Sequence, residues 1–314
     1  MARVAIVVVT YNSASEIDAC LDALAPLTDI EIIVVDNASS DETTARVRHR
    51  NTRLIANSAN AGFAAAVNQG VRATSAPLVL LLNPDAQLQG GQASLSALCA
   101  RFSDPRTGAT GGLLTGVDGL PQTGFMVRNL PGPAALILEV LGMNRLWPGN
   151  PVNWHYRCLG ISGTGTESVI VEQPAGAFLM FSRAAFQKVG GFDERFYPVW
   201  FEDVDFCAKL KAAGYLAYFV PAARARHRGG HSVGTLPMEI RQRYWYGSLL
   251  EYAAKYYRPL TFRAVCFAVL LGAVFRAVQG CAGGRNLLAV YGAVARLALD
   301  RIFRFGNGVR DRVV

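Results

Sequence analysis

The 314-residue chain has six cysteines (Cys20, Cys99, Cys158, Cys207, Cys266 and Cys281) and no C-x-x-C pair among them. That absence removes a zinc ribbon and a dithiol redox motif, and leaves reduced, mostly buried thiols as the expectation, as in a cytoplasmic protein. No G-x-G-x-x-G appears in the glycine-containing stretch Ala61 to Gly70, so a Rossmann dinucleotide site is disfavoured. The stretch "VVVTYNSASE" lacks a glycine-rich phosphate loop with a basic residue, which argues against a nucleotidyltransferase. No internal repeat is visible. The first apolar segment, Val4 to Val9, is shorter than a signal-peptide core and far too short to span a bilayer, so a buried strand is expected there. Charge is scarce as well, 17% of residues against 51% hydrophobic. Such a chain is too apolar to be disordered and long enough for one large domain with an appendage.

Acidic residues are nearly missing from the end of the chain. From Lys255 onward ten Lys/Arg face two acids, Asp300 and Asp311, which accounts for the whole formal net charge of +8 and leaves twenty-one residues of each sign in the first 254. Nucleic acid, an anionic membrane surface and a solvated face are the common readings of a basic tail; no nucleic-acid partner is expected here.

What the first hundred residues do contain is a regular alternation. "VAIVVVT" (Val4 to Thr10), "IEIIVVD" (Ile30 to Asp36), "TRLIAN" (Thr52 to Asn57) and "LVLLLN" (Leu78 to Asn83) are nearly continuous in apolar residues, as buried parallel strands are. Between them Ser15 to Leu24, Asp41 to Arg48 and Gly62 to Ala73 have helical composition, with Ser13, Ser40 and Asn60 as cap candidates. A βαβαβαβ order predicts an α/β fold, a doubly wound, mainly parallel sheet with helices on both faces. Ligands of such sheets bind beyond the carboxyl ends of the strands. Thr10-Tyr11-Asn12, Asp36-Asn37 and Asn83-Pro84-Asp85 each follow a strand, so three polar ends are expected around one cleft.

Thr107 to Glu167 is rich in Gly and Pro with weak periodicity, as in lids, binding loops or a meandering sheet. "SVIVEQPAGAFLMFSR" then predicts two strand-like pieces around Gly176, followed by a short helix from Ala184 to Val189. A helix from Glu202 to Ala213 should stop at Gly214, with "YLAYFVP" as a further strand. "VWFEDVDFC" sets Glu202, Asp203 and Asp205 in the first turn of that helix, among aromatic residues. Acids there complement the helix dipole, which explains one or two of them. A carboxylate at a cleft-facing helix start is also a candidate general base.

Taken together, "VVTYN", "VVDNASSD", "NAGFAAAVNQG", "LLNPDA", "GAFLMFSRAAFQKVGGFDERFYPVWFEDVDFCAKLKAAGY" and "HRGGHS" resemble, in order and spacing, the family 2 glycosyltransferases of the GT-A type. Within that family they are most similar to rhamnosyltransferase-like members that build cell-surface polysaccharides. The resemblance covers Val4 to about Tyr257.

It implies an inverting transferase moving a sugar, L-rhamnose among the possibilities, from a nucleotide-diphosphate donor (dTDP-rhamnose or a UDP-sugar) to a glycan or lipid-linked acceptor. Asp203 takes the family's place of the base, Glu202 that of a neighbour positioning the acceptor, and Asp205 a structural part. The family's metal motif is commonly Asp-x-Asp, whereas Asn83-Pro84-Asp85 brings one carboxylate. Asp85 is then the acidic ligand of Mg²⁺ or Mn²⁺, His227 of "HRGGHS" the second ligand or a phosphate contact, and His231 a weaker match. Asp36 matches the acid that binds the nucleoside, with Thr10, Tyr11, Asn12 and Asn37 beside it; Asn60 and Gly62 belong to the segment closing over base and ribose, and Asn83 can contact ribose or phosphate.

Each piece alone has an ordinary reading. Asp36-Asn37 and Asn83-Pro84-Asp85 are common turn sequences, and His49 and His155 are taken as ordinary hydrogen-bonded histidines. A non-catalytic nucleotide-sugar or glycan-binding protein on the same fold is the alternative, against which the acids at both Asp85 and Asp203 argue.

The expected boundary falls after residue 236: a catalytic domain over 1–236 and a basic, apolar helical extension over 237–314. Helices are expected at Met238 to Tyr257, Thr261 to Gln279 and Asn286 to Phe305, with Tyr244, Tyr252 and Tyr256 along one face of the first. The uninterrupted apolar run Ala264 to Phe275 is twelve residues. It rises about 18 Å as a helix, short of a hydrocarbon core of about 30 Å. An in-plane membrane element, peripheral at the inner face of the cell membrane, or a homodimer interface is the expectation for this tail.

Overall fold

The structure is a computed structural model that describes residues 3–163, 165–230, 234, 236–282 and 287–304. His231 lies outside the described residues. The chain divides into two compact units: Met1–Leu130 with Arg157–Pro198 and Glu202–Thr235, and Pro131–Tyr156 with Val199–Phe201 and Leu236–Val314.

The first unit is built on a nine-stranded mixed sheet. Its parallel half is β3 (Arg53–Ala56), β2 (Ile30–Asp36), β1 (Val4–Thr10) and β4 (Leu78–Leu82), in that order. β1 pairs in parallel with both β2 and β4, and Thr10 lies opposite Asp36. Beyond β4 the order continues β10 (Phe178–Ser182), β6 (Thr107–Thr115), β11 (Leu216–His227) and β5 (Ala86–Gln89), with β8 (Val169–Val171) also paired to β11. β10 runs antiparallel to both its neighbours, while β11 is parallel to β6. β7 (Val127–Arg128) and β9 (Gln173–Pro174) make a separate two-stranded sheet.

Alternate residues of β1 feed opposite faces of the sheet, as the period-2 geometry of a strand requires. Val4, Ile6 and Val8 pack with Ile17, Cys20, Leu21 and Leu24 of α1 (Ala14–Leu24), Val47 of α2 (Thr43–Arg48), and Leu95 and Leu98 of α4 (Gly91–Ala100). Ala5, Val7 and Val9 pack with Ala64, Ala66, Val67 and Val71 of α3 (Phe63–Arg72). The second face also takes Phe186 of α8 (Arg183–Lys188) and Phe206 and Leu210 of α9 (Glu202–Ala212). Helices on both faces are what the βαβ order predicts.

The Gly/Pro-rich stretch after Thr107 opens with a buried nine-residue strand, β6, "TGATGGLLT". Its glycines hide it from apolar periodicity and are needed by the packing: a Cβ on Gly112 would lie 2.3 Å from Phe178 Cε1 and 2.5 Å from the Ala223 carbonyl oxygen. "YLAYFVP" likewise underestimates β11, which passes Pro221 through a register irregularity between Val220 and Arg224 and ends at His227.

The second unit is helical. It contains α5 (Pro133–Val140), α6 (Met143–Leu146), α7 (Pro151–Tyr156), α10 (Met238–Tyr256), α11 (Pro259–Ala282) and α12 (Leu288–Arg304). Tyr246, Leu249, Leu250, Tyr252 and Ala253 bury one side of α10, and Tyr252 packs against Tyr256 with ring centroids 4.7 Å apart and planes tilted by 39°. The next helix, α11, has 24 residues and overruns the expected Thr261 to Gln279 by two residues at its start and three at its end. The apolar pattern continues past Arg276, whose guanidinium turns back onto the carbonyl oxygens of Val140 and Gly272. By length and composition alone Pro259–Gly280 is long enough to cross a membrane, and 44% of its most apolar window is buried within the protein.

Candidate active site

β1 and β2 end side by side, and their polar termini are tied together. Thr10 Oγ1 donates to Asp36 Oδ1 at 2.7 Å, and Ser39 donates to the same carboxylate through its hydroxyl to Oδ1 (2.5 Å) and its N–H to Oδ2 (2.9 Å). Three of the roughly four acceptor positions of a carboxylate are thus occupied, and Asp36 is fully buried. Of its two oxygens, Oδ1 takes two of these donors and Oδ2 one. Asn12, at φ 51°, accepts from Ser40 N at 2.8 Å and donates its own N–H to Ser39 Oγ, which joins the two strand ends. Tyr11 and Asn12 are half-buried beside this cluster.

Asn37 Nδ2 donates to the Gly62 carbonyl at 3.1 Å, bringing the Asn60 to Gly62 segment to the same place. Asn60 Oδ1 accepts from Gly62 N at 2.9 Å, two residues outside the helix that it was expected to cap. Gly62 has φ 87°, and a Cβ there would lie 2.8 Å from the Tyr197 ring. Ser13 occupies the cap position of α1 without a side-chain cap bond, and Ser40 lies ahead of the α2 cap, Glu42.

At the end of β4, Asn83 N donates to the Ala177 carbonyl at 3.0 Å. β11 lies antiparallel to β5 with His227 opposite Ala86, a register that puts Asp85 beside His227 and Gly229. Asp85 Oδ2 accepts from Gly229 N at 3.1 Å and its Oδ1 lies 3.4 Å from His227 Nε2. Burial works to raise the Asp85 carboxyl, but the His227 imidazole and the Gly229 N–H outweigh it and hold the group below its ordinary range. Beneath the turn, the buried Cys20 thiol is pushed up to about 12 by desolvation and then by the Asp85 charge, so it is an inert packing thiol.

α9 presents the other acids. Phe206 anchors the helix in a cluster with Phe181, Phe186 and Phe192, stacking on Phe192 at 4.4 Å. Each buried aromatic of this kind contributes about 2–3 kcal/mol. Asp205 is fully buried with Lys209 Nζ at 3.5 Å, and Glu202 is buried as well. Asp203 is half-buried. Its Oδ2 accepts from Gln173 Nε2 (3.0 Å) and Gly176 N (2.9 Å), and its Oδ1 from Val204 N (2.8 Å). Gly176 allows this approach, since a Cβ there would lie 3.1 Å from Asp203 Oδ2. Immediately before α9, Trp200 and Phe201 have φ of 79° and 68°. Side-chain-bearing residues there cost about 1–3 kcal/mol each, strain of a kind that gathers at functional sites.

The two distant acids are linked through the backbone: Asp203 bonds Gly176, the next residue Ala177 bonds Asn83, and Asn83 is two residues from Asp85. Gln173 and Gln122, which donates to the His227 carbonyl, are absent from the motif reading because only strand register reveals their partners.

For a divalent cation the fit rests on His227. The side chain is 3% exposed, and its Nε2 has no aligned hydrogen bond while facing the Asp85 carboxylate. Asp85 would supply the carboxylate oxygen that Mg²⁺ or Mn²⁺ prefers, and His227 an imidazole nitrogen beside it. Among the described residues there is no group of three or more His, Cys, Asp or Glu that could hold a metal ion.

The description Glycosyl transferase family 2 matches residues 5–190, more than half of the chain. The chain belongs to this family. A second description, Glycosyl transferase family group 2, matches residues 152–298. This family 2 glycosyltransferase is 33% identical over 254 residues to the N-acetylglucosaminyl-diphospho-decaprenol L-rhamnosyltransferase of Mycobacterium tuberculosis strain H37Rv, covering 74% of this chain and 78% of the relative. It is 23% identical over 210 residues to the low-salt glycan biosynthesis hexosyltransferase Agl10 of Haloferax volcanii, covering 66% and 61%. Among solved structures, the Pyrobaculum calidifontis mannosyltransferase PcManGT in complex with GDP-Man and Mn²⁺ superimposes with a TM-score of 0.52 at 21% identity, covering 96% of this chain and 82% of that one. GalNAc-T7 with UDP, GalNAc and Mn²⁺ gives 0.53 at 17% identity, covering 80% and 50%. The enzyme is a rhamnosyltransferase-like glycosyltransferase with the GT-A fold.

Proposed function

We propose that this glycosyltransferase moves L-rhamnose, with inversion, from dTDP-L-rhamnose to a lipid-linked N-acetylglucosaminyl diphosphate at the inner face of the cell membrane. The name of the Mycobacterium tuberculosis relative supports the sugar and the acceptor class. One observation carries the division of labour: the hydrogen-bonded path from Asp203 through Gly176 and Ala177 to the turn holding Asp85.

Asp203 is the base. Its Oδ2 is held by two donors, and its Oδ1, bonded to one backbone N–H, keeps a lone pair for the acceptor hydroxyl. Glu202 positions the acceptor beside it. The proton leaves the hydroxyl for Asp203 as the oxygen attacks the anomeric carbon from the face opposite the nucleotide diphosphate. Asp85 and His227 would hold Mg²⁺ or Mn²⁺, which would supply neutralisation of charge on the departing diphosphate. Asp36, Thr10, Tyr11, Asn12 and Asn37 bind the nucleoside, Asn60 and Gly62 close over base and ribose, and Asn83 contacts ribose or phosphate.

The catalytic domain spans 1–236, and the basic extension from 237 carries the membrane contact. Leu260, Phe267, Leu271, Val274, Phe275 and Val278 are exposed on one stripe of α11, opposite the buried Phe262, Val265, Val269 and Ala273. An anionic bilayer covers that stripe, with exposed Arg258 and Arg263 at its edge; a second copy of the chain is the competing occupant.

The test is transfer of labelled sugar to a synthetic lipid-linked N-acetylglucosaminyl diphosphate from dTDP-L-rhamnose and from UDP-sugars, with Mn²⁺ and with chelator. Metal-dependent transfer from dTDP-L-rhamnose is the expected result. Turnover of a UDP-sugar alone overturns the donor, and full activity in chelator overturns the metal.

A further inference from the structure

The His227 ring is gripped from behind by Gln122. A tight bend in "GVDGLPQ", closed by Gly116 N to the Leu120 carbonyl and by a bridge between Thr115 and Pro121, turns the chain back so that Gln122 N donates to the Leu114 carbonyl. Leu114 lies on β6 opposite Ala225 of β11, so this fold-back sets Gln122 beside the last residue of β11. Gln122 Nε2 donates to the His227 carbonyl oxygen at 2.8 Å, and Gln122 Oε1 lies 2.9 Å from His227 Nδ1. Phe125, three residues on, stacks on the imidazole at 5.3 Å with planes 9° apart.

The chemistry of that amide decides the tautomer. A backbone carbonyl only accepts, so the group facing it is the NH₂, and the group facing Nδ1 is the amide oxygen. An amide oxygen only accepts, so Nδ1 carries a proton. In the neutral ring Nε2 then bears the lone pair, on the side where Asp85 Oδ1 sits 3.4 Å away. Two electron pairs facing each other inside the protein repel unless a positive charge, a second ring proton or a metal ion, lies between them.

We infer that Gln122 is the positioning residue that holds His227 with Nδ1 protonated, so that Nε2 and Asp85 together present a cation-binding pair. A partner behind a metal-binding imidazole fixes its orientation and tautomer, and loss of such partners costs about 10–100-fold in metal affinity. The inference rests on the reading of Asp85 and His227 as cation ligands.

Two measurements on the full chain test it. The first is ¹⁵N NMR of the His227 ring in the wild type and in Gln122→Leu, assigned with His227→Ala. A wild-type ring with the proton on Nδ1, released to a tautomer mixture in Gln122→Leu, is expected; a neutral wild-type ring protonated on Nε2 overturns the inference. The second is the affinity for Mn²⁺ alone, read by electron paramagnetic resonance. Gln122→Leu should bind about 10–100-fold more weakly. If His227→Ala weakens Mn²⁺ binding and Gln122→Leu does not, the inference fails while the metal reading stands. If His227→Ala leaves Mn²⁺ binding unchanged, the metal reading fails, and the ring spectrum alone decides whether Gln122 sets the tautomer.

Discussion

Asp203 differs from its two acidic neighbours in exposure and in bonding. Glu202 and Asp205 are buried, whereas Asp203 is half-buried and its carboxylate is oriented by Gln173, Gly176 and Val204. Three acids in one helical turn thus have separate environments, and the proposed base is the most exposed of them. Asp203→Asn keeps the shape and still accepts from two of the three donors, but it cannot take a proton. Transfer should fall by about 10²–10⁴-fold, the ordinary weight of general-base catalysis, while nucleotide affinity measured by calorimetry stays within about twofold. Normal turnover in the Asn variant assigns the base elsewhere. Motif spacing marks Asp203, Asp85 and His227 as candidates, and the structure brings the last two side by side at 3.4 Å. Gln173 and Gln122 go unmarked, since an isolated glutamine carries no spacing signal and its role comes from the strand opposite.

At the scale of elements the β6 glycines and the helical glycine of α10 give opposite expectations. Gly112 is enclosed by Phe178 and the Ala223 carbonyl, whereas a Cβ on Gly247 would meet nothing within 4 Å. Gly112→Ala should destabilise the protein by about 1–3 kcal/mol through overpacking, and Gly247→Ala should stabilise it by about 0.5–1 kcal/mol by lowering the entropy of the unfolded chain. Denaturant unfolding of the two variants measures both; a neutral Gly112→Ala contradicts the close strand packing. The same physics separates the strands that apolar runs reveal from those they hide. β1 and β2 match their expected bounds because their apolar runs are unbroken. β6 escaped because its buried positions are Gly and Thr. The helix expected over Thr261 to Gln279 lies within three residues of α11 at either end, whereas the apolar run between Arg263 and Arg276 understates its apolar length, because long basic side chains fold along a helix without ending it.

For the whole molecule, the first 254 residues are neutral and the remainder is basic, and the proposed membrane contact falls in the basic part. Phe267→Asp with Phe275→Asp should abolish flotation with vesicles containing anionic lipid, and lower activity on a bilayer-embedded acceptor while sparing a short-chain soluble one. Unchanged flotation, together with a concentration-dependent mass that the double variant lowers, assigns the stripe to a second copy instead. The central claim is a single displacement at the anomeric carbon, with Asp203 as the only base it needs. The most direct measurement of it is the anomeric configuration of the purified product, read by NMR against that of the donor sugar. Inversion is the predicted result; a product that retains the donor configuration contradicts the account.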